Sequence, residues 1–187
     1  MGPTEVIEVN PADEWVSINM INTGAVSSLG VSIDEHPMWI YEADGKHIQP
    51  VSVDVVQVPN GNRFSSLVKL DKLVGDYTIR VANLGANQII CGFGTPSYNG
   101  SHHNTTNSTP FINYAGQNIT QDVVFLDDTK IVPFPPIAPA RAADAPYFLD
   151  INRFGTAWRW TLSGKESYAW ILRRKRHFSS TLHQRKL

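Results

Sequence analysis

Apolar and polar residues alternate in Trp15-Val-Ser-Ile-Asn-Met-Ile21 and in Tyr77-Thr-Ile-Arg-Val81. They also alternate, with one slip, in Val51-Ser-Val-Asp-Val-Val-Gln-Val58. A period of two puts successive side chains on opposite faces, so these segments predict strands with one buried face. They are rich in β-branched and aromatic residues, which suit a pleated surface. Asn22-Thr-Gly24, Ala43-Asp-Gly45, Pro59-Asn-Gly61 and Val74-Gly-Asp76 supply turn chemistry between them. Strands of this length at short, regular spacing predict an antiparallel sandwich or barrel. No helical period precedes residue 160.

Further along, the pattern changes. Thr95 to Pro110 is mostly Gly, Ser, Asn, Thr and His and reads as a long surface loop. Phe111-Ile-Asn-Tyr-Ala115 and Val123-Val-Phe-Leu126 read as one more strand and an extended segment. Ile131 to Pro146 holds Pro133, Pro135, Pro136, Pro139 and Pro146. Proline fixes φ and cannot donate to a sheet ladder, so this is an extended connector. Ala145-Pro-Tyr-Phe-Leu-Asp-Ile151 and Thr156-Ala-Trp-Arg-Trp-Thr-Leu162 then read as two new strands, too few to stand alone in water.

Charge separates the body from the tail. The net charge is −1, but residues 170–187 hold six of the sixteen Lys and Arg and no acid. The remainder has ten cations against seventeen acids, a balance of −7. The run Arg173-Arg-Lys-Arg-His has the composition of a nucleic-acid or nuclear-localisation patch. An acidic body repels phosphate, so no nucleic-acid partner is expected and the tail reads as disordered. No apolar run approaches the roughly 20 residues that span a bilayer, so no membrane partner is expected either. The single cysteine, Cys91, excludes an internal disulfide. Four Asn-x-Ser/Thr sequons begin at Asn99, Asn104, Asn107 and Asn118, and they point to a secreted parent. Met1-Gly-Pro-Thr has no signal-peptide character, so the leader of such a parent is expected elsewhere.

Several segments together resemble the multicopper oxidase family of laccases, ascorbate oxidases and fungal ferroxidases. Ile21-Asn-Thr-Gly24 resembles that family's Ile-Asn-Ala-Gly turn. Val31-Ser-Ile-Asp-Glu-His-Pro-Met-Trp-Ile-Tyr-Glu-Ala-Asp-Gly45 is similar to its strand, His-Pro corner and strand ending in Asp-Gly. Gly61-Asn-Arg-Phe-Ser-Ser-Leu-Val68 resembles Gly-Gln-Arg-Tyr-Ser-x-Leu-Val, with Asn62 in place of Gln. Asp76-Tyr-Thr-Ile-Arg80, Asn113-Tyr-Ala-Gly116, Pro133-Phe-Pro-Pro136 and Trp158-Arg-Trp-Thr-Leu162 follow in the family's order. The structural motif residues are thus Asn22, Gly24, His36, Asp44, Gly45, Arg63, Tyr77 and Arg80.

The resemblance implies an all-β, Greek-key cupredoxin-like β-sandwich, the second plastocyanin-like domain, over residues 1–128. A connector over 129–146, an incomplete start of the third domain over 147–168 and a basic tail over 169–187 would follow. The match stops after Ser167-Tyr168, which reads as a truncated, misspliced or wrongly assembled product. The implied partners are the first and third cupredoxin domains of the parent. The implied parent reaction oxidises phenols, amines or metal ions and reduces dioxygen to water, with copper as cofactor. The parent's place is extracellular or at the cell surface. A middle domain without its neighbours exposes apolar interface and is expected to be sticky or unstable.

Copper itself is not expected in this chain. A blue-copper site needs a thiolate, two imidazoles and usually an axial methionine in a compact loop. No methionine follows Cys91, and His102 and His103 lie in the polar loop. Cys91 reads as a buried small hydrophobe. The family's His-x-His motifs, implied for its trinuclear cluster, do not occur. His36 matches a structural histidine that fixes the corner by a hydrogen bond. Asp34 and Glu35 are adjacent, so on a strand they would face opposite sides and form no catalytic pair. Arg63 and Arg80 read as sheet-surface or interdomain ion-pair residues. Fungal ferroxidases with an acidic iron contact on the first strand make Glu8, in Thr4-Glu-Val-Ile-Glu-Val-Asn-Pro11, a candidate substrate-metal contact. Its simpler reading is an exposed edge-strand carboxylate. The rival reading of the chain is a stand-alone extracellular β-sandwich binding module without enzymatic activity. Trp15, Trp39 and Tyr98 would support it if exposed.

Overall fold

The structure, a computed structural model, describes residues 4–85, 88–101, 108–142, 145, 147–154, 159–162 and 165–166. The chain forms two compact units, Met1–Ala138 and Pro139–Leu187.

Among the described residues the first unit holds nine strands. They are β1 (Glu5–Val9), β2 (Trp15–Ile21), β3 (Leu29–Ile33), β4 (Met38–Ala43) and β5 (Lys46–Val53). β6 (Val55–Val58), β7 (Arg63–Lys69), β8 (Ile79–Asn83) and β9 (Cys91–Tyr98) complete the set. One sheet has the order β1-β9-β8-β3-β6 and the other β2-β7-β4-β5. All pairs are antiparallel except β1 with β9, which is parallel. The purely antiparallel expectation fails there because β1 enters at a sheet edge, where a parallel partner needs no hairpin.

The core lies between the sheets. Met38 and Ile40 of β4, Phe64 and Val68 of β7, Ile33 of β3 and Val58 of β6 are buried in one cluster. Each such side chain contributes roughly 1.5–3 kcal/mol by leaving water. The slip in the 51–58 alternation marks a sheet change. β5 ends at Val53 in one sheet and β6 starts at Val55 in the other, so one predicted strand is two. Val55 and Val56 are both fully buried, which a single half-buried strand does not allow. Asp54 turns this corner: its N–H donates to Val124 O at 2.8 Å and its carboxylate accepts from Val124 N at 2.9 Å.

Asp44 (φ 47) and Gly45 (φ 80) make the two-residue turn between β4 and β5, with the positive φ pair that such hairpins favour. Gly45→Ala is expected to lower stability by about 1 kcal/mol in urea titration. A stability unchanged or raised would show the turn to be unstrained.

Two sequence expectations fail in the second half. Thr95 to Tyr98 belongs to β9, and Ser97, Tyr98 and Ser101 are buried, so the loop begins at Asn99. Polar composition hid this, because the buried serines bond to one another and to Asp76. The expected strand at 111–115 makes one isolated bridge, Ile112 to Asn118. Residues 132–134 of the Pro-rich connector pair with β5: Gln49 N donates to Val132 O at 2.8 Å and Phe134 N to His47 O at 2.9 Å.

The second unit holds β10 (Ile151–Phe154), β11 (Arg159–Leu162) and β12 (Lys165–Glu166), antiparallel in that order. The first of these starts where the expected 145–151 strand ends. Residues 156–158 and the basic tail lie outside the described residues.

Candidate functional site

The His-Pro corner gathers a connected set of buried polar groups. β3 stops at Ile33 because Asp34 and Glu35 turn, with Glu35 at φ 62, rather than extend. The expectation that the two acids face opposite sides of a strand is therefore corrected. The Asp34 carboxylate is fully buried and accepts from Arg80 Nε at 2.7 Å and Nη2 at 2.8 Å. Ser108 Oγ donates to its second oxygen at 2.8 Å. Thr109 N donates to Glu35 at 2.8 Å, so the far end of the polar loop is fastened here too. Arg80 also lies 5.9 Å from the Phe93 ring. Arg80 is thus the partner of a buried acid within the domain rather than a sheet-surface residue. The sequence hid this because the pair joins residues 46 positions apart. Arg63, in contrast, is exposed, and its N–H donates to Asp44 at 2.9 Å.

His36 sits behind this pair. Its Nδ1–H donates to Asp34 O at 2.7 Å, which leaves Nε2 to accept from the Tyr98 hydroxyl at 2.8 Å. Tyr77 meets the imidazole edge-on, 4.6 Å between centroids. Tyr98 is buried, so it cannot serve an exposed aromatic face as the rival reading asked; Trp15 and Trp39 are 39% and 42% exposed. Burial pushes the Tyr98 phenol up to about 12. Burial also holds His36 below its ordinary value.

A histidine whose folded pKa lies below its unfolded one is kept neutral by the fold. The stability it lends is full above the unfolded pKa and drains as pH falls through that value toward the folded one. The urea midpoint is therefore expected to drop between about pH 7.5 and about pH 5.5, and His36→Gln to flatten that slope. Equal slopes in both proteins would remove His36 as the cause.

The other motif residues serve turns. Asn22 is buried, and its amide donates to Ser27 O and Val58 O, both at 2.9 Å, while its Oδ1 accepts from Gly24 N at 2.9 Å. Asp44 accepts from Arg63 N and from Asn62 Nδ2 at 3.0 Å. The Tyr77 hydroxyl donates to Leu73 O at 2.9 Å. Glu8 is exposed on the edge strand β1, opposite Ser97. Asn99 and Asn118 are exposed; Asn104, Asn107, His102 and His103 lie outside the described residues. Cys91 is half-buried rather than buried, because it begins β9 at the sheet's end.

Sequence comparison decides the family. The multicopper oxidase family model matches residues 2–117. The chain belongs to the multicopper oxidase family. Multicopper oxidase GIP1 of Gibberella zeae is 44% identical over 169 residues, 89% of this chain and 25% of that protein. Laccase abr2 of Aspergillus fumigatus is 40% identical over 159 residues, 85% of this chain and 27% of that protein. The chain thus spans about a quarter of the length of the relatives it matches. Among solved structures, Fet3p, a multicopper oxidase that functions in iron import, superposes with TM-score 0.62 at 20% identity, covering 80% of this chain and 28% of that one. The laccase from Botrytis aclada gives TM-score 0.62 at 18% identity, covering 87% and 30%. The fold is the all-β cupredoxin-like sandwich of multicopper oxidases.

Copper, the metal of multicopper oxidases, does not fit the described residues. Both ring nitrogens of His36 are spent on internal bonds. Its partner Tyr98 closes the strand that Cys91 opens, seven steps or roughly 23 Å along. Among the described residues no three His, Cys, Asp or Glu side chains are grouped to share an ion.

Proposed function

We propose that residues 1–128 are the middle, copper-free cupredoxin domain of a larger multicopper oxidase, spacing its first and third domains. Residues 129–146 are then the connector, 147–168 the opening of the third domain and 169–187 a tail. The parent couples four one-electron oxidations of a phenol, amine or metal ion to reduction of one dioxygen to two waters. The electrons pass through copper held elsewhere in the parent, and this chain alone is inactive. The His36 corner carries the reading: a motif that resembles the copper family's longest signature spends its imidazole and its carboxylate on holding the fold together. The exposed sequons at Asn99 and Asn118 support an extracellular parent.

The test is the transcript on both sides of this segment, with copper titration of the purified 187-residue chain. Flanking codons for His-x-His motifs and no blue Cys–copper absorption are the expected result. Stoichiometric blue copper in the isolated chain would overturn the proposal.

A second reading, a stand-alone binding module, is favoured by one observation. Trp15 and Trp39 are exposed on the same outer face of the four-stranded sheet, Trp15 across from Lys69 and Trp39 across from Leu67 of β7. An independent promoter and stop codon bounding the segment would favour it over the domain.

A further inference from the structure

The four edges of the two sheets are guarded unequally. β1 carries Glu5 and Glu8, and charge blunts an edge. β5 is capped by residues 132–134. β6 is capped by residues 124–126, where Val55 N donates to Val124 O and Leu126 N to Val55 O, both at 3.1 Å. β2 pairs with β7 along one side. Along its other side it meets no backbone partner among the described residues. Its seven residues include no charge, proline or glycine, the kinds that natural edges use for protection.

The space beside that edge is apolar. Two cavities of about 240 Å³ and about 230 Å³ share Ile18, Asn19 and Ile79 and follow β2 between the sheets. On the other sheet this space is lined by Ile79 and Val81 of β8, which pair with the glycines Gly94 and Gly92 of β9. Val16 and Ile18, which face this space, are left half-buried.

We propose that two copies of this chain join through β2, antiparallel about a two-fold axis at Ile18. The two four-stranded sheets then run on as one. A two-fold interface must be self-complementary, each residue meeting its counterpart reciprocally. Trp15-Val-Ser-Ile-Asn-Met-Ile21 has that property, reading alike in both directions. About Ile18, Val16 meets Met20 and Ile18 meets itself on the inner face. On the outer face Trp15 meets Ile21 and Ser17 meets Asn19. Apolar faces apolar, polar faces polar, and no like charges oppose. The inner row of the second copy closes the mouth of the cavities. This pairing does not depend on the oxidase-domain reading, and a monomer would leave that reading untouched.

Sedimentation velocity of the purified 187-residue chain, from about 5 to about 100 µM, reads the outcome. Wild type is expected to move from monomer to dimer with concentration. Ser17→Lys with Asn19→Lys sets lysine against lysine at both outer pairs and should weaken the dimer roughly tenfold or more. Ser17→Lys with Asn19→Glu sets opposite charges there and should restore it. Both double variants lose the bond from Ser17 to the Tyr41 hydroxyl, so any folding penalty from that loss is common to them. Circular dichroism checks it. A wild type monomeric throughout, open-ended aggregates in place of a dimer, or equal association of the two double variants would each overturn the proposal.

Discussion

Arg80→Met is expected to destabilise the first unit by about 3–5 kcal/mol, because removing one partner of a buried ion pair strands the other. The Asp34 side chain has no exposure and draws two of its three hydrogen bonds from the guanidinium. Without Arg80, Ser108 supplies one neutral donor to a carboxylate that no longer has a cation. The Arg80 side chain keeps 21% exposure, so some water reaches its end of the pair and the lower part of the range is expected. Replacing both partners, Asp34→Leu with Arg80→Met, should recover much of the loss, since the uncompensated charge is then gone. Urea denaturation of the four proteins gives the comparison. A loss below about 1 kcal/mol in the single variant would mean that solvent already screens the pair.

Asn22→Asp, isosteric and one charge different, should cost roughly 3 kcal/mol. The amide at this position gives its hydrogens to the Ser27 and Val58 carbonyls and contacts Asn60 Oδ1 at 3.4 Å. A carboxylate there has no hydrogen to give. It would point a buried negative charge at carbonyl oxygens, keeping only the bond from Gly24 N. The penalty should shrink as pH falls toward the range where that carboxylate protonates, because a carboxylic acid regains one donor. A variant as stable as wild type at neutral pH would show that this turn opens to water.

Both variants bear on what could be read in advance. The strand alternation located β2 and β8 because their inner and outer faces differ in polarity, while β7 was marked by its resemblance to the family's strand and not by its period. The turn residues located the hairpin at Asp44-Gly45 because positive φ narrows the choice of residue. Residues 51–58 misled for a physical reason: a strand that changes sheets buries both faces at the crossing, so its period breaks without the chain ending. Thr95 to Tyr98 misled because serines that satisfy each other in the core look like loop. Of the corner site, the His36 signature was legible, while the Asp34–Arg80 pair was not. Local sequence cannot say which cation a buried acid will meet.

Residues 124–126 and 132–134 lie beyond the family-matched span, which ends at residue 117, yet they hydrogen-bond β6 and β5. Trimming the chain at 117 would therefore strip two flanks at once and unclasp Asp54 from Val124. The smallest piece fit for expression or for transplanting into another member of the family runs at least through Phe134. Proteases able to cut between 117 and 124 would act as melting agents, not as mere trimmers of a tail.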